Sequence, residues 1–293
     1  MVNKKIKKII FPVGGLGTRF LPVTKSLPKE MLPIASKPLI QYAFEEAKKA
    51  GIEQFIFITG RNKNAINNHF DHAYELQTVL DEQQKEKQLK EVTDWLPEAG
   101  RIAFVRQQEP LGLGHAVWCA RHFIGEEPFA VILADEMLMS KDGFLKEMVE
   151  CFEELNKSII GVGEVDKRYT NSYGIIDPEK IDFEGKAVYK IKNMVEKPDP
   201  ENAPSNLSII GRYILEPEIF KYLSVQTKGK GGEIQLTDAM KEMLKEKEMF
   251  ALEFKGPRFD CGNQVGYLDA NIAYMLEQSE FNSQIKQILK KYI

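Results

Sequence analysis

Cysteine is scarce in this chain. Only Cys119, Cys151 and Cys261 occur in 293 residues, far apart and in no Cys-x-x-Cys pair. That excludes a disulfide framework and a cysteine zinc site, and it points to a reducing compartment, the cytoplasm. Charge of one sign is also lacking: the net value is −3, whereas a protein built to coat nucleic acid carries a large positive excess. No apolar stretch reaches the roughly 20 residues of a membrane span. The basic residues 1–8 run into an apolar segment with no signal-peptide core and cleavage site behind them. Neither nucleic acid nor membrane is therefore expected as a partner. Gly-x-Ser-x-Gly and His-Glu-x-x-His are missing, no Cys and His lie close enough to suggest a thiol nucleophile, and no internal repeat is found.

What is present is a soluble globular composition, 43% hydrophobic and 28% charged, long enough for one elaborated domain or two. The first half alternates strand and helix. Strands are expected at 6–13, 53–59, 101–106 and 129–134, with helices at 38–50, 61–70 and 114–123. Between them, residues 72–95 read as a polar helical insertion whose thin apolar face is Leu76, Val79 and Leu80. Strands this apolar, separated by helices, predict a parallel sheet covered on both faces. The second half is richer in strands, expected at 158–165, 173–177, 187–195, 207–215 and 249–254. Helices are expected at 217–223, 234–247, 264–278 and 281–291, the last with a stripe of Phe281, Ile285, Ile288 and Leu289 that packs on its own body or on a second subunit. The fold class is α/β: a Rossmann-like mixed, mainly parallel central sheet flanked by helices.

The most informative segment follows the first strand. Gly14, Gly15 and Gly17 form a glycine loop, and Arg19, Lys25 and Lys29 follow along a proline-punctuated stretch. Small residues let backbone N–H groups approach a phosphate, and the cations neutralise it. The loop is not a Walker A motif, which ends in Gly-Lys-Ser/Thr. Nor is it the dinucleotide fingerprint, because Phe20 stands where the third glycine belongs and no ribose-binding acid ends the second strand. A nucleoside triphosphate fits this cradle, and a dehydrogenase does not.

Carboxylates at strand ends suggest a metal. Asp135 follows the fourth strand and Asp260 lies in Arg258-Phe259-Asp260-Cys261-Gly262. Magnesium takes one or two protein carboxylates together with phosphate oxygens and water. Gln107 closes the third strand ahead of Gly112 and Gly114, where an amide can donate to and accept from a base edge. His115 reads as a structural residue at a helix start. Glu196 and Lys197 end an apolar strand, Lys197 as a second phosphate-binding cation. Gly174 and Gly211 mark either a bulge or a close approach. The run at 229–239 reads as architectural.

Together the segments PVGGLGTRFLPVTKSLPKEMLPI, VRQQEPLGLGHAV, ILADE, MVEKP, IIGRYIL, GEIQLTDAM and FDCGNQVGYLDA resemble the bacterial UTP–glucose-1-phosphate uridylyltransferases, or UDP-glucose pyrophosphorylases, of the sugar-nucleotidyltransferase superfamily. The resemblance implies a single domain, 1–293, with a nucleotide-binding half (1–135), a sugar-phosphate-binding half (136–262) and C-terminal helices (263–293). It implies that Gly14, Gly15, Gly17 and Thr18 sit against the nucleotide, that Arg19 holds the leaving phosphates and that Lys29 contacts the triphosphate. Gln107, aided by Gly112, would read uracil. Asp135 and Asp260 would hold Mg²⁺. Gly174, Glu196 and Gly211 would line the glucose pocket, and Lys197 would bind the sugar phosphate. UTP, glucose 1-phosphate, UDP-glucose and pyrophosphate are the implied partners, and a homodimer or homotetramer the implied assembly. Rival readings are a thymidylyl-, cytidylyl- or adenylyltransferase of the same fold, or a non-catalytic sugar-nucleotide-binding relative. Position 14 is Gly where this branch commonly has Ala, a change expected to loosen the loop and to matter little to chemistry.

Overall fold

Ile9, Ile10, Phe11 and Val13 are fully buried in the first strand, and their alternation sends side chains to opposite faces of a sheet. The computed structural model describes residues 5–183, 185–278 and 280–292. Its centre is a nine-stranded sheet. In chain order the strands are β1 (Lys8–Val13), β2 (Gln54–Thr59), β3 (Ile102–Arg106), β4 (Phe129–Ile132), β5 (Ser158–Glu164), β6 (Gly174–Ile181), β7 (Val188–Glu196), β8 (Leu207–Leu215) and β9 (Met249–Glu253). Their spatial order is β3-β2-β1-β4-β8-β5-β9-β7-β6.

The first four strands are parallel, in the 3-2-1-4 order of a mononucleotide-binding half. In such a sheet the crevice opens at the carboxyl ends of β1 and β4, where the winding reverses. β8 enters antiparallel beside β4, and β7 pairs antiparallel with β9 and β6. Every strand except β7 and β8 thus runs in one direction, in a mixed sheet that is mainly parallel.

Two cores cover the faces. Ile9 and Phe11 pack with Phe44, Phe57, Phe144 and Phe152 on one side. Ile10 packs with Ile56, Val117, Val131 and Met240 on the other. The helix Leu39–Lys49 starts after Pro38 and stops at Gly51, whose φ of 82° suits a residue past a helix end. The polar insertion forms two short helices, Tyr74–Glu82 and Glu86–Thr93, with Leu80 their only buried residue. The helix Phe144–Leu155 is an element the sequence reading does not anticipate, although Phe144, Leu145, Met148, Cys151 and Phe152 fall on one helical face. At the C-terminus no residue of the helix Asn282–Leu289 is buried.

A two-stranded antiparallel ribbon joins Glu136–Leu138 to Arg258–Asp260, with Asp260 opposite Glu136. A third cluster (Ile34, Leu39, Met137, Phe259, Cys261 and Ala270) packs the helix Gln264–Glu277 against it. The ribbon therefore delivers Asp260 to the end of β4.

Candidate active site

The loop after β1 is shaped by close approach. Gly17 has φ 66°, and its carbonyl accepts a 2.7 Å hydrogen bond from the Thr24 hydroxyl. A Cβ there would also lie 3.1 Å from Thr24 Cγ2 and 3.3 Å from Lys29 Cβ. Gly14 sits against two neighbours. Its carbonyl lies 2.7 Å from where a Gly60 Cβ would stand, and its own Cβ would stand 2.7 Å from Gln107 Oε1. Gly14 therefore leaves room for the Gln107 amide.

Lys29 reaches across to β4. Its Nζ lies 2.6 Å from Asp135 Oδ2, and both side chains are 23% exposed. Burial alone would pull the Lys29 ammonium down, but the Asp135 and Glu30 carboxylates outweigh it and push it up to about 12. Burial works against the Asp135 carboxylate, yet the charge and hydrogen bond of Lys29 hold it below the usual range. Both groups are charged at neutral pH. Glu30, one residue on, pairs with Lys63 at 2.8 Å.

Two cavities meet at Asp135. The first, about 450 Å³, is lined by Gly14, Gly15, Gly17, Thr18, Lys29, Gln107, Gly112 and Asp135, with Leu113, Leu133 and Glu233. The second, about 280 Å³, is lined by Arg19, Gly174, Glu196, Lys197, Gly211, Asp135 and Asp260, with Tyr173, Gln235 and Thr237. Leu113, Leu133, Asp135 and Glu233 line both. The structure thus brings the sequence-predicted residues into one cleft, with two differences. Arg19 lines the second cavity, where its Nη1 donates to Gly262 O at 3.3 Å. Lys25 is exposed and lines neither cavity.

Asp260 is held on both sides. Its Oδ1 accepts from Gly262 N at 2.9 Å and its Oδ2 from the Tyr173 hydroxyl at 3.1 Å. A Cβ on Gly262 would lie 2.9 Å from Asp260 Oδ1 and 3.2 Å from Asp135 Oδ2. The two carboxylates therefore face one small space, kept open by a glycine. Two acidic oxygens completed by phosphate oxygens and water make the donor set a hard divalent cation prefers. Among the described residues no group of three or more His, Cys, Asp or Glu could hold a metal. Glu136 is instead tied to Arg258, 3.0 and 3.3 Å from its two oxygens.

Around the second cavity, Lys197 adopts φ 48°, its amide donates to Tyr173 O at 3.0 Å, and its Nζ lies 3.4 Å from Glu196 Oε1. Gly211, at φ 66°, stands where the β8–β5 register shifts, so the bulge reading holds there. A Cβ at Gly211 would lie 2.9 Å from Leu133 Cβ. Gly174 is a close approach: a Cβ there would sit 3.1 Å from Thr237 Oγ1 and 3.2 Å from Glu196 Oε2.

Several site residues escape the sequence reading. Glu233, Gln235 and Thr237 belong to the run read as architectural, yet they line the cleft. That run is clamped to the loop after β3, Gly114 N donating to Ile234 O at 2.8 Å and Ile234 N to Leu111 O at 2.7 Å. Tyr173 carries a phenol raised to about 12 by burial and by Asp260, and the Arg258 guanidinium lies 4.7 Å from its ring. A Cys–His contact also exists, with Cys119 Sγ 4.0 Å from His115 Nδ1. That contact corrects the expectation that no Cys and His lie close together; burial holds the thiol above its ordinary range.

The sequence profile of the family described as "Nucleotidyl transferase" matches residues 7–277. A Staphylococcus saprophyticus protein named UTP--glucose-1-phosphate uridylyltransferase 2 is 48% identical over 288 residues, covering 98% of each chain. A Bacillus subtilis UTP--glucose-1-phosphate uridylyltransferase is 48% identical over 282 residues, 96% of this chain and 95% of its own. Among solved structures, UDP-glucose pyrophosphorylase complexed with UDP-glucose aligns at a TM-score of 0.83 with 46% identity, over 93% of this chain and 100% of that one. The UTP-bound enzyme from Acinetobacter baumannii aligns at 0.89 with 40% identity, over 97% and 98%. A 3-2-1-4 sheet half, a glycine loop facing strand-end carboxylates and these full-length likenesses lead to one conclusion: the chain belongs to the nucleotidyl transferase family.

Proposed function

We propose that this protein transfers the uridylyl group of UTP to glucose 1-phosphate, giving UDP-glucose and pyrophosphate. Support comes from relatives of that name at 48% identity over nearly the whole chain and from similar structures described as holding UDP-glucose or UTP. The carrying observation is the junction of two cavities at Asp135, with Lys29 against it. One cavity takes the nucleotide and the other the sugar phosphate, so the reacting phosphates meet at that junction.

Two polyanions repel strongly in a cleft of low dielectric. Lys29 offsets the charge on the nucleotide side. Lys197 does so on the sugar side, and Arg19, beside both aspartates, neutralises the phosphates where they meet. Asp135 and Asp260 would hold Mg²⁺, which when bound supplies Lewis-acid charge neutralisation to phosphate oxygens. A phosphate oxygen of glucose 1-phosphate is already ionised and attacks the α-phosphorus in line, so no general base is needed. The residues contribute position and fixed charge. Thr18 and the three loop glycines carry the nucleotide, Gln107 and Gly112 the base, and Gly174, Glu196 and Gly211 the sugar.

In this reading residues 1–135 and 136–262 are the nucleotide and sugar-phosphate halves of one domain. The helices of 263–293, which expose Val265, Leu268 and Ile288, make the contacts of a homodimer or homotetramer. Three unpaired cysteines fit the cytoplasm. Among the described residues no helix is long and apolar enough to cross a membrane. The test is pyrophosphate release from each of four nucleoside triphosphates with glucose 1-phosphate and Mg²⁺. UTP should dominate. Absence of UDP-glucose with every divalent ion, or preference for another triphosphate, rejects the proposal.

A further inference from the structure

We infer that His115 is a positioning residue for base selection: it turns the Gln107 carboxamide so that only its oxygen faces the base end of the nucleotide cavity. The inference rests on the nucleotide reading above and goes beyond it. Gln107 is 7% exposed, and its backbone N–H is bound to Thr59 O at 2.8 Å, so the amide turns only at its end. That end lies 3.1 Å from Gly112 O. A backbone carbonyl can only accept, which identifies the facing atom as Nε2. The same Nε2 lies 3.1 Å from His115 Nδ1. Its two protons thus have two acceptors, and His115 must present an unprotonated Nδ1.

The surroundings keep the ring neutral. Burial holds the His115 imidazole below its ordinary range, with Glu109 from the preceding loop opposing and Arg121 from the following helix assisting. The Trp118 ring stacks on it at 5.8 Å, and Cys119 Sγ touches Nδ1 from the same helix. With both N–H groups spent, the amide offers only Oε1, which stands in the space left by the missing side chain of Gly14.

An acceptor fixed in that place pairs with a base whose ring nitrogen carries a proton, as in uracil. Cytosine presents a second acceptor at the same position, leaving two desolvated lone pairs face to face. A site built to bond one group rejects the analogue that lacks it far more strongly than a hydrophobic pocket does.

The experiment compares kcat/KM for UTP and for CTP in the full chain with His115→Phe and with His115→Asn, whose Oδ1 can take the place of Nδ1. In His115→Phe the amide is free to turn, and the UTP/CTP ratio should fall roughly tenfold or more, with the loss of UTP efficiency seated in KM rather than kcat. His115→Asn should restore the ratio. Below the ordinary imidazole range of about 6.5 the wild-type ratio should drop, while that of the Asn variant stays level. A ratio unchanged in His115→Phe, an Asn variant no better than the Phe variant, or a pH-independent wild-type ratio overturns the inference. If the wild type turns over neither triphosphate, it is the proposed function that fails.

Discussion

Lys63 and Glu30 form a buried ion pair. Their charged atoms are 2.8 Å apart, with the side chains 7% and 2% exposed, and Glu30 Oε1 has no hydrogen-bond partner among the described residues. Lys63→Met keeps the aliphatic length and removes the charge, stranding a buried carboxylate. Breaking such a pair costs about 3–5 kcal/mol, chiefly as the penalty of the charge left behind. With a urea m-value of about 3 kcal/mol/M the midpoint should fall by about 1–1.7 M. A control is at hand in Lys190–Glu248, closer at 2.6 Å but 42% and 51% exposed. Lys190→Met should leave the midpoint where it is, because water already screens both charges.

The pH dependence separates charge from packing. Burial pushes the Glu30 carboxyl above its ordinary range, and Lys63 and Lys29 only partly pull it back. A carboxyl raised in the folded state weakens stability above its folded pKa, and that cost fades as pH falls toward the unfolded value of about 4.3. Removing Lys63 raises the carboxyl further. The deficit of Lys63→Met relative to wild type should therefore be larger at neutral pH than under mild acid. Glu30→Gln combined with Lys63→Met should recover much of the loss. A deficit no larger than that of Lys190→Met, or one equal at both pH values, would refute the reasoning.

Asp135→Ala should lower turnover by about 10²–10³-fold while the far-ultraviolet circular dichroism stays that of the wild type. Lys197→Ala should raise KM for glucose 1-phosphate and leave KM for UTP alone; an unchanged sugar-phosphate KM would reject the role assigned to this side chain. Gly262→Ala places a methyl group 2.9 Å from Asp260 Oδ1 and 3.2 Å from Asp135 Oδ2, so half-maximal activity should require at least about tenfold more Mg²⁺, read from a metal titration at saturating substrates.

Residues 6–135 were legible because their signals are local. A buried apolar run, a glycine loop and an acid directly after a strand lie within a few residues of one another, and the parallel order of β1 to β4 follows from the helices between them. Contacts across long separations were not legible. Lys29 and Asp135 lie 106 residues apart, and Tyr173 and Asp260 87 apart. β8 is buried at every residue, so its apolar run fits either direction, and only its neighbours make it antiparallel. The helix Phe144–Leu155 carries a readable apolar face in Phe144, Leu145, Met148, Cys151 and Phe152. Arg19 marks the physical limit most sharply. Its type and spacing announce an anion site, but its guanidinium donates to Gly262 O, 243 residues further along the chain. Gly17 makes the left-handed turn ahead of Arg19 accessible, with Thr24 and Lys29 packed around it, but the charge is seated in the second cavity beside a carbonyl that no local pattern announces.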